Sequence, residues 1–284
     1  MKLSVAILAG NEEENIGRCL EAVRQLADEI IIGIDDKTTD NTAAIAKKYT
    51  KYVFILKHED NFHINKKKVI DKCTGDWILQ LDADEVVTPK LAGEIKRLLT
   101  LHDDEIEKEQ AETPELFLRH KQVVELRDGK IGEDIGPYTA FFVPRVNFFL
   151  GSYLTRGGVY PDGVIRLFKN GFAQIPAGSV HEQIEIKGRV GWLINNLQHY
   201  GDPTFWHYVN RFNRYTDLEA KTVTGGVIGN FLIKPFIDRR QGFLTIYFRH
   251  LGFMDGFPGF IWALFSALHF PVAYLKYLES KVNR

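Results

Sequence analysis

Residues 76–89 read DWILQLDADEVVTP and place three carboxylates, Asp82, Asp84 and Glu85, within four positions directly after an apolar run. Side chains on a strand alternate faces, so Asp82 and Asp84 point to one side and Glu85 stands just beyond the end. Like charges held that close repel unless something positive sits between them. The stretch therefore asks for a cation, and the elements before it say where that cation belongs.

Those elements alternate. KLSVAIL reads as a strand, AGNEEEN as a turn, and the residues up to about Leu26 as a helix. EIIIGID is a second apolar run, followed by the short helix TTDNTAAIAKKY with Asp and Thr near its start. YVFILK, the helix INKKKVIDKC, the strand DWILQLD and the helix PKLAGEIKRLLTL complete the set, the last with Pro near its start. Strands alternating with helices predict an α/β fold with a mostly parallel sheet covered on both faces. Such sheets bind ligands outside the carboxyl ends of their strands. Asn11 and Glu12 follow the first strand, Asp35 and Asp36 the second, Asp82 and Asp84 the fourth, so all sit on one rim.

The rim lacks the glycine fingerprint of a dinucleotide site, and the chain has no G-x-x-x-x-G-K-[ST] phosphate loop. Paired carboxylates at a strand end suit Mg²⁺ or Mn²⁺, hard cations that take oxygen ligands and share them with phosphates. An isolated D-x-D is more often a solvated acidic turn; its place at the fourth strand end, with Asp35 at the second, strengthens the metal reading. Net charge is -1, which gives no reason to expect nucleic acid. Cys19 and Cys73, the only cysteines, form neither a disulfide framework nor a zinc pattern, so a reducing cytoplasm is expected. The first stretch turns acidic after nine residues, unlike a signal peptide.

SVAILAGNEEENIGRCL, IDDKTTDNTAAIA and TGDWILQLDADE, in this order and spacing, resemble the family-2 glycosyltransferases of GT-A fold, and most closely the subgroup similar to lipopolysaccharide-core β-glucosyltransferases. The resemblance spans roughly residues 3–100 and continues more loosely in GVIRLFKNG, SVHEQIEIKGRVGWL, LQHYGDP and RFNRYTDLEA. It implies inverting transfer of a sugar from a nucleoside-diphosphate donor, uridine-linked by expectation, to an acceptor hydroxyl. It also implies a catalytic domain over residues 1–200 and roles for single residues. The turn Ala9, Asn11 and Glu12 cradles the nucleoside, Asp35 contacts the base, and Asp82 and Asp84 serve ribose and metal. Lys66 aligns with a basic residue common in the subgroup and would neutralise diphosphate; Lys67 and Lys68 read as solvent-facing. Arg166, on a strand, reads either as a second diphosphate partner or as the partner of a surface acid. His181, in the Val-His-Glu of SVHEQ, is the expected third metal ligand. Inversion needs a base for the acceptor hydroxyl. Glu182 is the first candidate, Asp162 the second. Lys37 stands where the family usually has Gly, and the Q-x-x-R-W pattern of processive members is absent, so one addition per encounter is expected.

The middle of the chain reads as a solvated acidic connection over about 102–115, with seven acids and one Lys, leading into the strand-like LFLRHKQVVEL. Residues 201–284 read as a helical region. Within it GFPGFIWALFSALHFPVAYL, residues 256–275, carries no formal charge. Its bulky residues Phe257, Phe260, Ile261, Leu264, Phe265 and Leu268 follow helical spacing, flanked by Arg249, Lys276 and Lys281. Pro258 and Pro271 count against a span, so a helix lying on the inner face of the cell membrane is expected, beside a lipid-linked or lipopolysaccharide-type acceptor. A buried helix and a homodimer contact are the alternatives. Rival functions are a sugar nucleotidyltransferase, whose Gly-rich Arg/Lys loop AGNEEEN does not resemble, and a non-catalytic nucleotide-sugar binding module.

Overall fold

The four apolar runs that open the chain form β1 (Leu3–Ala9), β2 (Glu29–Asp35), β3 (Val53–Leu56) and β4 (Trp77–Asp82). They lie in the order β3-β2-β1-β4 and all run parallel. Parallel neighbours need crossovers, supplied by α1 (Ile16–Val23), α2 (Thr42–Ala46) and α3 (Phe62–Ile70). The computed structural model describes residues 1–176, 184–202, 204–222 and 242–282. The chain divides into two compact units, Met1–Arg145 with Pro161–His199 and Val146–Tyr160 with Tyr200–Arg284.

Alternation along the strands explains how the first unit is layered. Val5, Ile7, Ile32 and Ile34 join one core with Ile16, Leu20 and Val23 of α1. Gly33, on the opposite face of β2, lies under Val69 of α3; a β-carbon there would stand 2.5 Å from the valine Cγ2. The fold is therefore the α/β class read from the sequence, with helices on both faces of the sheet. The run of parallel strands that opens the chain ends at β4. After the turn Ala83–Asp84 come β5 (Glu85–Val87) and α4 (Pro89–Leu98). Beyond them β6 (Tyr138–Phe149) and β8 (Asp162–Lys169) pair antiparallel with each other, and β8 with β4. β7 (Ser152–Leu154) folds back on the far end of β6. β9 (Ala173–Gln174) and β10 (Glu185–Ile186) make a small ribbon, and β11 (Arg189–Trp192) runs parallel to β6. β12 (Leu197–Asp202) pairs antiparallel with β5, His199 opposite Glu85. That register is locked from outside the sheet. The Glu94 carboxylate accepts the Ile194 and Asn195 N–H groups at 2.7 and 2.9 Å, and the Thr88 hydroxyl donates to the Asn196 carbonyl at 2.9 Å.

Two expectations for the middle of the chain are corrected. The acidic stretch is helix α5 (Asp103–Ala111), not an open connection. Its acids in the first turn favour the helix start, and Glu105 accepts the His102 N–H at 2.8 Å. Ile106 is buried in the main core, while Glu107 and Glu109 pair with Arg189 and Arg97. The strand-like run is helix α6 (Glu115–Asp128). Its buried residues, Phe117 and Val124, are spaced by two helical turns rather than by twos, and Phe117 packs on Trp192 at 4.8 Å between ring centroids.

In the second unit α7 (Phe205–Thr222) and α8 (Gly256–Val282) pack together, with short helical turns at Thr245–Arg249 and Gly252–Asp255. The expected stripe of bulky residues on α8 is divided. Ile261, Trp262 and Phe265 pack around Phe149, Leu154 and Tyr208, while Phe257 and Phe260 are exposed. The buried line is instead one of small residues four apart, Gly259, Ala263, Ala267 and Pro271. Lys276, expected at a lipid surface, is spent on α7: its ammonium donates to the Asn213 carbonyl, Thr216 Oγ1 and Asp217 Oδ1 at 2.9, 2.8 and 2.7 Å. By length and composition Gly252–Val282, of hydropathy 1.3, would reach across a membrane, but its small-residue face is packed within the protein.

Gly259 marks the closest approach in this unit, since a β-carbon there would stand 2.0 Å from the Gly252 carbonyl oxygen. Backbone cannot yield as a side chain does. Gly259→Ala is expected to destabilise the second unit by about 1–3 kcal/mol, read as a lowered thermal midpoint; an unchanged midpoint would show that the turn at Gly252–Asp255 is loosely held.

Candidate functional site

The carboxyl ends of β1, β2 and β4 open into a cavity of about 480 Å³, lined by Ala9, Asn11, Glu12, Asp35, Thr38, His58, Lys66, Asp82, Asp84 and His199 among others. Of the rim residues singled out in the sequence, Ala9, Asn11, Glu12, Asp35, Lys66, Asp82 and Asp84 are brought together here. His181 and Glu182 lie outside the described residues.

Each wall is held by its own bonds. Asn11 adopts a left-handed backbone (φ 55°), which Asn tolerates better than most residues. Its Oδ1 accepts the Thr39 N–H at 2.9 Å, tying the first strand end to the loop after β2. Lys37 is not among the positive-φ residues, so the loop closes without the glycine usual in the family. The Glu12 N–H donates to Thr42 Oγ1 at 2.7 Å, and its carboxylate accepts from Asn15 at 2.8 Å. Burial pushes the Glu12 carboxyl above the usual range; the bond from Asn15 opposes this, and repulsion from Asp84, Asp40 and Asp82 adds to it. Negative charge thus accumulates on this side of the cavity.

The charge problem posed by the D-x-D is solved within the protein for one aspartate and not for the other. Asp82 Oδ1 lies 2.5 Å from the Lys66 ammonium, and Oδ2 accepts from Arg166 at 2.6 Å. Burial alone would raise this carboxyl, but Arg166 and then Lys66 hold it well below the usual range. Arg166, expected at the diphosphate, points inward instead. It is 7% exposed and donates to Gln80, to Asp82 and, at 2.7 Å, to Glu85. Glu85 has no exposure; it also accepts the Asp82 N–H at 3.0 Å and a second guanidinium, that of Arg145, at 3.1 Å. Arg145 continues to Asp162, with bonds of 2.7 and 3.1 Å to Oδ2. Asp162 is thus engaged by a guanidinium within the fold.

Asp84, by contrast, faces an imidazole: its Oδ2 lies 3.3 Å from His199 Nε2, both side chains mostly enclosed. A carboxylate oxygen and a ring nitrogen at that distance have the donor chemistry to hold a cation such as Mn²⁺. Among the described residues no group of three His, Cys, Asp or Glu side chains suited to a metal is present, so such an ion would draw further ligands from phosphate and water. His199 was missed in the sequence because its partner is 115 positions away; the signal lay in LQHYGDP, where a histidine follows the start of a short strand.

Arg166→Met tests the inward placement of the guanidinium. Removing one partner of a buried ion pair costs about 3–5 kcal/mol, so the first unit should lose that much stability near neutral pH. Asp82, held low in the fold, contributes its stability above the ordinary carboxyl pKa of about 4 and loses it as pH falls further, so wild type and variant should converge in acid. A variant with wild-type stability and weaker nucleotide binding would return Arg166 to the diphosphate.

Residues 4–141 match the family model Glycosyl transferase family 2. An uncharacterized glycosyltransferase of Rickettsia typhi is 25% identical, the match covering 92% of this chain and 81% of that protein. The lipopolysaccharide core biosynthesis glycosyltransferase LpsC of Rhizobium meliloti is 25% identical, over 95% of this chain and 89% of its own. Among solved structures, a mannosyltransferase of Pyrobaculum calidifontis in complex with GDP-Man and Mn²⁺ is 12% identical, with TM-score 0.42, over 99% of this chain and 88% of that one. The resemblance read from the sequence is borne out over the first part of the chain: residues 4–141 match the family-2 glycosyltransferase model.

Proposed function

We propose that the protein is a divalent-metal-dependent, inverting glycosyltransferase that moves one sugar per encounter from a uridine-diphosphate sugar to an acceptor hydroxyl in cell-envelope glycan or lipid-linked saccharide synthesis. The observation that carries this reading is the pair Asp84 and His199 facing each other in the strand-end cavity, beside Asp35 and Glu12. The relation to LpsC, named for lipopolysaccharide core biosynthesis, supports the envelope role.

Asp84 and His199 would hold Mn²⁺ or Mg²⁺, with His181 a further ligand; the ion, when bound, supplies positive charge where the diphosphate departs. Lys66 and Arg166 keep Asp82 ionised and aimed, and the third of its side chain that stays open accepts from a ribose hydroxyl. Arg166 therefore acts through Asp82. The acceptor oxygen attacks the anomeric carbon as the bond from that carbon to the phosphate oxygen breaks. The diphosphate leaves with the bonding electrons, and the hydroxyl proton passes to Glu182. Asp162 keeps Arg145 in place and takes no proton.

A panel of nucleotide sugars with Mn²⁺ separates this from its rivals. Release of nucleoside diphosphate supports transfer, pyrophosphate exchange supports a nucleotidyltransferase, and binding without turnover supports a binding module. Asp84→Ala and His199→Ala should each abolish metal-dependent activity with the fold intact by circular dichroism. Glu182→Gln should lower kcat by about 10²–10⁴ with little change in donor affinity. A near-normal kcat in Glu182→Gln, with a comparable loss in Asp162→Asn, would move the base to Asp162.

The acceptor is lipid-borne in this reading, and the protein docks on the inner membrane face. What supports it is the run Leu244–Phe260, where Leu244, Phe248, Leu251, Phe253, Met254 and Phe257 are between 40% and 68% exposed. Asp255, the acid within that run, is occupied by the Thr155 and Arg156 N–H groups at 3.0 and 2.8 Å. Full-length protein should pellet with anionic liposomes, and Phe253→Asp with Phe257→Asp should abolish this. Sedimentation as a dimer that the same substitutions break, without liposome binding, would make the patch a subunit interface.

A further inference from the structure

Three observations meet at the back of the cavity, on the side of β2. Asp35 Oδ2 lies 2.8 Å from His58 Nδ1, and Asp35 Oδ1 accepts the Lys37 N–H at 2.9 Å. Burial would raise this carboxyl, but those two bonds outweigh it and hold the group below the usual range. Beside it, Thr38 Oγ1 is buried and has no hydrogen-bond partner among the described residues. Gly10 completes the corner: a β-carbon there would stand 3.3 Å from Asp35 Cβ and 3.6 Å from Thr38 Oγ1, so the missing side chain keeps open the approach to both.

The His58 imidazole is not needed to close its own loop. That task belongs to its backbone, whose N–H donates to Asp36 Oδ1 at 2.9 Å. Its other ring nitrogen lies 3.8 Å from Asp60, a fully exposed carboxylate, and gains little there. What the ring does is occupy one oxygen of Asp35.

That occupation has a chemical consequence. A carboxylate with both oxygens open matches an edge with two adjacent donors, such as the N1–H and amino group of guanine. With His58 on one oxygen and the Lys37 N–H on the other, neither oxygen is fully open to a two-donor edge, and the acceptor directions that remain lie next to a hydroxyl that can donate. Such a corner matches an imide edge, one N–H flanked by carbonyls, as in uracil. The N–H donates to Asp35 and a carbonyl accepts from Thr38, giving that buried hydroxyl the partner it lacks.

We infer that His58 is the base-selectivity residue of this site: by taking one oxygen of Asp35 it positions the carboxylate, together with Thr38, to read the imide edge of a uracil nucleotide and to leave the amino group of guanine unpaired. The inference rests on the nucleotide-sugar reading above. His58 is a positioning residue, acting through Asp35.

The test is calorimetric titration of the full chain with UDP, GDP and inorganic pyrophosphate, each with Mn²⁺, for wild type, His58→Ala, His58→Asn and Thr38→Val. Wild type should prefer UDP over GDP by about tenfold or more, the penalty for one unpaired buried donor. His58→Ala should bring the two affinities close to equal while pyrophosphate binds as before, which a loss of general structure would not do. His58→Asn, which restores a donor to Asp35, should recover part of the preference, and Thr38→Val should weaken UDP. A His58→Ala variant with the wild-type ratio overturns the inference and leaves the nucleotide-sugar reading standing. A wild type that prefers GDP overturns it as well. Wild-type protein that binds no nucleotide and no pyrophosphate overturns both.

Discussion

The guanidinium of Arg166 is the interaction on which the site depends. It lies on β8, antiparallel to β4, and reaches into the space between Asp82 and Glu85, where it meets an acid on each side and Gln80 beneath. Among the described residues it is the one cation shared by both acids, with Lys66 adding to Asp82 and Arg145 to Glu85. A charged pair buried like this is seldom a source of net stability compared with apolar packing. Its effect is specific: the pair has one satisfactory geometry, so the turn Ala83–Asp84 has one too. Arg145 repeats the arrangement one step further along the sheet, from Glu85 to Asp162. The D-x-D turn is thus the exposed end of a row of alternating charges that runs into the sheet.

Seen this way, the two aspartates of the motif are unlike, although the sequence presents them as a matched pair. Strand alternation correctly puts them on one side, and both line the same cavity. Lys66 and Arg166 saturate Asp82 with cations, whereas Asp84 looks across at an imidazole. The difference comes from the second half of the sheet, β8 and β12, whose partners cannot be assigned from the first hundred residues.

The same division describes what was legible. Parallel strands, their crossovers and the rim Asn11, Glu12, Asp35, Asp82 and Asp84 follow from local patterns, because period-two and period-3.6 burial are properties of short stretches. Helix α6 was hidden because Leu116, Leu118 and Leu126 are apolar yet exposed, which blurs the period that Phe117 and Val124 alone obey. Helix α5 was hidden because its acids, read as a solvated run, find Arg97 and Arg189 only after folding. On α8 the bulky residues drew the eye, although the packed face is the line Gly259, Ala263, Ala267 and Pro271, where small size permits close approach. His58 and His199 were invisible as site residues, since a histidine acquires a role from its neighbour, and Asp35 and Asp84 are 23 and 115 positions away.

The outer lock on β12 bears on how this molecule can change over evolutionary time. Glu94 and Thr88 grip residues 194–196 by their backbone groups, whatever side chains those residues carry. Sequence there is free to drift. Length is not: one residue gained or lost between this grip and β12 would turn every side chain of the strand to the opposite face and carry His199 away from Asp84. Related chains that keep a histidine in this role should therefore differ in the letters of this loop and agree in their number, a pattern of variation that looks neutral by substitution and is strict by insertion and deletion.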